Sequence, residues 1–261
     1  MDLTQPEANL RAFMKTRASL DGADTFTWFA GTVTAWLPGE QAVPLFGMEG
    51  YNVARAREVE GGFDLLSREA VFYLDPATRE IIDTWHNPFT NDDVEVLHIW
   101  NDPVNLPMRL DGPRGPFYAP VTEIGDELFF NVDVFLAYPS PLPRADWPEE
   151  SQSDLYQAAE LFQFFTKKAA ISSTDPAAPC LVSWTRLGPW LPWMKMGDRP
   201  GQLVYHCRGA KLGSFDELPA RIKQRVEADG PQYRTAPAEF TQPNETSWTY
   251  YKRHAAASTT G

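Results

Sequence analysis

Residues 65–104 read LLSREAVFYLDPATREIIDTWHNPFTNDDVEVLHIWNDPV, from Leu65 to Val104. Three strand-like runs, roughly Leu65 to Leu74, Glu80 to Asn87 and Val94 to Asn101, are divided by two turns. Asp75-Pro76-Ala77-Thr78 supplies proline at the second turn position, and Asn91-Asp92-Asp93 supplies a second loop. Short strands joined this way build an antiparallel meander, and a curved antiparallel sheet encloses a cavity lined by its alternate residues. The polar side chains of the stretch then face either solvent or that cavity.

The pattern extends in both directions. Thr25 to Leu37 carries Phe26, Trp28, Val33 and Trp36 among threonines, with Ala30 and Gly31 where a strand can bend or admit a ligand. Leu45 to Arg55 is strand-like with two internal glycines. Val121 to Ile124 and Glu127 to Tyr138 form a hairpin about Gly125-Asp126. Seven strands before residue 140 predict an α+β protein, mainly antiparallel β. The expected form is a lipocalin-like or related curved sheet or barrel with two or three peripheral helices. Helices are expected from Pro6 to Ser19, from Ser151 or Ser153 to Ala170, and from the Ser214-Phe215-Asp216-Glu217 capping box to Ala228. In the second of these, Leu155, Ala158, Ala159, Phe162 and Phe165 share a face. Cys180 to Arg186, Gln202 to Arg208 and Ser247 to Lys252 are expected strands, with a disordered tail over 255–261. One domain over 1–254 follows, its β-rich meander 25–138 plugged by a helix-containing part, 150–254.

With 23 basic and 35 acidic side chains the formal charge is −12, which repels phosphate backbones and anionic lipid, so no nucleic-acid or membrane partner is expected. The start has no long apolar core, and no unbroken apolar run reaches about 18 residues. A cytoplasmic protein is expected. Cys180 and Cys207 sit in strand-like surroundings and read as buried thiols.

Several pieces then agree in order with a known family. Trp28-Phe29-Ala30-Gly31, Glu49-Gly50-Tyr51-Asn52, Tyr73-Leu74-Asp75-Pro76-Ala77-Thr78, Trp85-His86-Asn87-Pro88, His98-Ile99-Trp100-Asn101-Asp102-Pro103-Val104 and Asn244-Glu245-Thr246-Ser247-Trp248 resemble the bacterial domain-of-unknown-function family 1838. The resemblance runs from about Leu10 to Trp248. It implies a single soluble domain and supplies no catalytic residues.

Function must be argued from side chains. No Walker, Rossmann, GxSxG, HExxH or CxxC signature is present, so no cofactor is expected. On the third run of the opening stretch, His98, Trp100 and Asp102 share one face. His98 suits proton transfer at neutral pH, and Asn101, Asp102 and the neighbouring His86 are candidate partners. On Glu127 to Leu136, Phe129, Asn131, Asp133 and Phe135 alternate with a wholly apolar set. If the mixed set faces a cavity, Asp133 becomes a proton donor or acceptor, and if it faces outward, Asn131 and Asp133 are solvated. Three histidines, His86, His98 and His206, lie on strand-like segments, but no spacing demands a metal. Trp28, Trp85, Trp100, Phe129, Asn131 and His206, with a loop carrying Trp190, Trp193 and Met194, are candidate ligand contacts. That loop reads as a lid, a barrel plug or a dimer interface.

Three functions follow as expectations. The first is a cofactor-independent general acid–base enzyme, of lyase or isomerase type, acting on a hydrophobic small molecule, aromatic or terpenoid. The second is a non-catalytic binder of an apolar ligand, and the third a metal-dependent enzyme using histidines. A homodimer is compatible with each.

Overall fold

The computed structural model describes residues 2–113 and 115–258. Twelve strands follow a first helix: β1 (Thr25–Trp36), β2 (Val43–Val59), β3 (Gly62–Leu74), β4 (Thr84–Asn87), β5 (Asp92–Glu95), β6 (Ile99–Asn101), β7 (Leu106–Arg109), β8 (Val121–Ile124), β9 (Glu127–Pro139), β10 (Leu155–Lys167), β11 (Leu181–Gly188) and β12 (Gln202–Leu212). The helices are α1 (Pro6–Arg17), α2 (Lys168–Ser172), α3 (Ala220–Asp229) and α4 (Ser247–Ser258). No helix among the described residues is long and apolar enough to cross a membrane.

Ten strands form one antiparallel sheet in the order β6-β3-β2-β1-β12-β11-β10-β9-β8, with β7 also on β3, while β4 and β5 form a separate hairpin. The sheet is curled. The charge of Glu160 on β10 helps raise the Glu69 carboxyl on β3 although five strand steps separate them, about 24 Å if the sheet were flat. Coiling of this degree brings backbones together, and glycines occupy the crowded points. A Cβ on Gly50 would lie 2.4 Å from the Ala70 carbonyl oxygen, and one on Gly209 2.2 Å from that of Trp28.

The expected closed barrel is not formed. The edges, β6 with β7 and β8, do not pair with each other. They are only three or four residues long, and helices occupy the seam instead. Phe13 of α1 packs its ring against Phe130 of β9 and Phe164 of β10, in a cluster that also holds Ala54, Phe63 and Leu65 of β2 and β3. At the other end α4 touches β6 and sets Trp248 edge-on to Tyr156 of β10. Burying large rings at both ends stabilises the curled form.

Four expectations are corrected. Where a helix is expected over 151–170, residues 155–167 form β10, and the short α2 begins only at Lys168. Tyr156, Ala158, Glu160, Phe162, Phe164 and Thr166 alternate inward, and pairing with β9 and β11 overrides the accidental helical spacing of Leu155, Ala158, Ala159, Phe162 and Phe165. Residues 247–252 open α4, because the Thr249 amide donates to Thr246 Oγ1 at 3.2 Å as a helix cap. That helix includes Ala255 to Ala257, so the expected tail is helical as far as it is described, and 259–261 lie outside the described residues. The capping box opens only a short 3-10 turn, Phe215–Glu217, before Pro219 precedes α3. The C-terminal part also supplies three central strands, β12 pairing along β1, rather than packing on a finished meander.

The outer face of β1–β3 is covered by α3 and its flanking turns, with Phe26, Tyr51, Phe72 and Tyr233 in that layer. The outer face of β9 is bare, and Phe135 is 76% exposed.

Candidate functional site

Between the α1 plug and the α4 plug, the concave face becomes polar. In β3 the residues Ser67, Glu69, Val71 and Tyr73 point inward by alternation, as do Asn52 in β2 and Thr27 in β1, which share a row with Glu69. Asn101 on β6 sits opposite Glu69 in register and donates from Nδ2 to Glu69 Oε2 at 3.2 Å. From the last turn of α1, Arg17 reaches over this row, donating to Thr27 Oγ1 at 2.9 Å and Asn52 Oδ1 at 2.5 Å.

The opposite wall carries the second half of the site. Arg186 of β11 donates to Tyr156 Oη at 2.7 Å, lies 3.5 Å from Glu160 Oε1, and stacks its guanidinium 4.9 Å above the Tyr205 ring. Tyr138 stacks on Tyr156 with centroids 4.8 Å apart. Tyr73 and Tyr205 face each other closely enough to perturb each other's phenols, but no bond of normal geometry joins them. Glu69, Arg17 and Glu160 are half-buried although walled in by protein, so the trough between α1 and α4 admits solvent. Three buried polar atoms of this face, Tyr73 Oη, Asn101 Oδ1 and Trp184 Nε1, have no hydrogen-bond partner among the described residues. Such atoms are costly unless a ligand or water completes them.

Ionisation in the trough is divided. Burial, reinforced by Glu160, raises Glu69 from 4.5 to about 7, against the pull of the Asn101 bond, Arg186 and Arg17. Burial lowers Arg17 to about 10, which still leaves it charged at neutral pH. Burial opposes the charge on Arg186, but Tyr156, Tyr205 and Glu160 outweigh it and raise the group. Burial pushes Tyr205 up to about 12 and, with Tyr156, does the same for Tyr138. The trough therefore offers two guanidinium cations, phenol donors and one carboxyl poised near neutrality.

The residues singled out from the sequence divide differently. Asn101 is in the trough, but His98 is not. His98 lies against Phe72 under α3, its Nδ1 accepting from the Tyr73 amide at 3.2 Å and its Nε2 3.5 Å from Asp83. Burial and the Arg225 charge lower it to about 4, so it is a neutral packing group at neutral pH. Asp133 is exposed on the bare outer face of β9, far from His98 along the sheet order, and the structure does not bring the two together. Asn131 and Phe129 share that outward parity, Phe129 meeting the Phe165 ring there. Asp102 pairs with Arg68 at 2.8 Å. His86 is an exposed partner of Asp93, and His206 is exposed between Thr32 and Thr185. The three histidines thus lie apart, and no group of three His, Cys, Asp or Glu among the described residues is placed to hold a metal.

The aromatic candidates are structural neighbours of the trough or lie behind it. Trp28 donates to Glu49 on the outer face, where Arg221 of α3 also holds that carboxylate, and Trp100 packs with Phe72 and Tyr233. Trp85 and Trp193 pack on Phe46, Trp190 donates to the Arg199 carbonyl, and Met194 is fully buried with its carbonyl held by Asn87. The Trp/Met loop is therefore a fixed end wall.

Glu69, Glu160, Arg17 and Arg186 were missed from sequence. A signal existed for two of them: in Leu65, Ser67, Glu69, Val71, Tyr73 and in Val182, Trp184, Arg186 a lone charge interrupts an otherwise inward-reading face. Comparison with curated proteins finds no match. The chain belongs to the family described as proteins of unknown function, DUF1838, whose profile matches residues 22–255.

Proposed function

We propose that the trough is the active site of a cofactor-independent general acid–base enzyme, of lyase or isomerase type, acting on a hydrophobic small molecule. The observation that carries this reading is Glu69, a carboxyl enclosed by a curled sheet, bonded to one side-chain amide and faced by a second carboxylate and two arginines. A group whose protonation changes near pH 7 both gives and takes a proton under ordinary conditions. Tyr73 and Tyr205 keep their protons and serve as donors to an oxygen that gains charge. His98 and Asp133, the pair expected from sequence, have no part in it.

Two buried free thiols suit a reducing compartment, the cytoplasm. The second reading, a non-catalytic binder, is favoured by Asn101 Oδ1 and Trp184 Nε1, which ask for a ligand whether or not chemistry follows. The test is a product screen by mass spectrometry against aromatic and terpenoid compounds, followed by Glu69→Gln. Loss of turnover by about a hundredfold or more is expected for a general acid or base. Turnover undiminished in a folded Glu69→Gln variant removes the acid–base assignment, and binding without turnover by any compound selects the binder.

A further inference from the structure

We propose that the trough recognises an organic monocarboxylate with an aromatic or apolar body, its carboxylate held by the Arg17 guanidinium. The proposal rests on the trough being a ligand site and names the class of ligand. Arg17 bonds only neutral oxygens, Thr27 Oγ1 and Asn52 Oδ1, and joins no ion pair among the described residues. This is not a shortage of acids in a chain with 35 acidic and 23 basic side chains. The one carboxyl that faces Arg17, Glu69, forms no ion pair with it and is raised to about 7, so near pH 7 this protein-walled guanidinium is only partly compensated, and an incoming anion offsets that cost.

The neighbouring cations are spent elsewhere. Lys15 donates to the carbonyls of Ile171 and Ser173, and Lys211 to those of Lys15 and Ala18 at the end of α1. Arg186 already has Glu160 and Tyr156. Arg17 makes no ion pair among the described residues and has N–H donors beyond the two spent on Thr27 and Asn52, and one fork fits one carboxylate. Thr27 and Asn52 hold it in place from beneath, so its orientation is set before a ligand arrives.

The rest of the concave face supplies the body's contacts. Phe29 and Trp184 meet edge to face at 5.4 Å, Phe162 stacks on Trp184 at 5.9 Å, and Val71 lies in the same row as Phe29. These rings lie one or two rows from Arg17's partners, so an anionic head and an aromatic body fit a single molecule. A carboxylate at Arg17 also adds negative charge near Glu69 and favours its protonated form. Binding near pH 7 should therefore take up a proton.

The experiment is calorimetry on the full chain near pH 7 in two buffers of different ionisation heat. The probes are benzoate, phenylacetate, 3-phenylpropanoate and 2-naphthoate, each against its own amide. At least one acid should bind about tenfold or more tighter than its amide. Arg17→Gln should erase the preference, and Arg17→Lys should restore part of it. Proton uptake should appear in the wild type and vanish in Glu69→Gln. The wild-type comparison needs no variant to fold. Acids binding no better than amides, preference surviving in Arg17→Gln, or no binding by any probe each overturn the proposal. Amides that bind with an affinity altered by Glu69→Gln would leave the trough as a site while removing the anion. Acids bound through Arg17 without proton uptake would instead remove Glu69 as the proton-active group.

Discussion

Replacing Glu69 by glutamine should stabilise the protein, and only at neutral and alkaline pH. The carboxyl moves from 4.5 to about 7 on folding, which corresponds to about 3 kcal/mol of differential interaction. Solvent in the trough reduces this to about 2 kcal/mol. Because the folded state keeps a proton that the unfolded chain releases, this stability is fully present below pH 4.5 and is lost as pH rises through about 7. Glutamine carries no charge at any pH, so the variant should match the wild type near pH 4 and exceed it by about 2 kcal/mol near pH 8. His98 works in the other direction. Lowered from 6.5 to about 4, it contributes stability above 6.5 that is lost as pH falls through 4. In the wild type the two slopes oppose each other, and Glu69→Gln should leave the histidine's slope unmasked. Urea unfolding followed by tryptophan fluorescence at several pH values from 4 to 8 measures both effects. A stability difference independent of pH, or a variant less stable than the wild type near pH 8, would refute the placement of Glu69 in an enclosed, weakly hydrated site.

Three other outcomes follow from particular contacts. His98→Gln, which keeps an acceptor for the Tyr73 amide, should flatten the acid limb and reduce the loss of stability between pH 6.5 and 4 by up to about 3 kcal/mol; an unchanged acid limb in urea unfolding refutes it. Gly50→Ala forces a Cβ to within 2.4 Å of a backbone oxygen and should cost about 3 kcal/mol or more, read as a lowered thermal midpoint. Asp133→Asn, on the bare face of β9, should change stability by less than about 0.5 kcal/mol and leave calorimetric ligand binding untouched.

Much of the sheet was legible because alternation survives where one face is buried. β1, β3, the β8–β9 hairpin, β11 and β12 fall where the period-two pattern puts them. β10 was not legible, since Leu155, Ala158, Ala159, Phe162 and Phe165 also satisfy a helical spacing, and only pairing with two neighbours decides between them. That one misreading hid Glu160, which as a helical residue had no reason to face a cavity. Asn101 was singled out as a partner of His98, but it bonds Glu69 in the trough instead. His98 lies in the link between β5 and β6 and Asn101 ends β6, so the expected single strand did not exist and its parity could not decide which of them looked into the trough. Closure was also beyond the sequence, because edge pairing depends on how far the sheet curls and what fills the gap.

The unclosed seam has a mechanical consequence. In a closed barrel the bore is fixed by strand number and stagger, and changing it means rebuilding the ladder of hydrogen bonds. Here the gap between the first and last strands is set by the side chains of α1 and α4, at the two ends of the chain, acting as spacers between sheet edges. Exchanging a larger ring for a smaller one at Phe13 would let the walls move together or apart without replacing any side chain of the trough. Such a scaffold can change the width of its trough by substitutions in helices that lie outside the sheet.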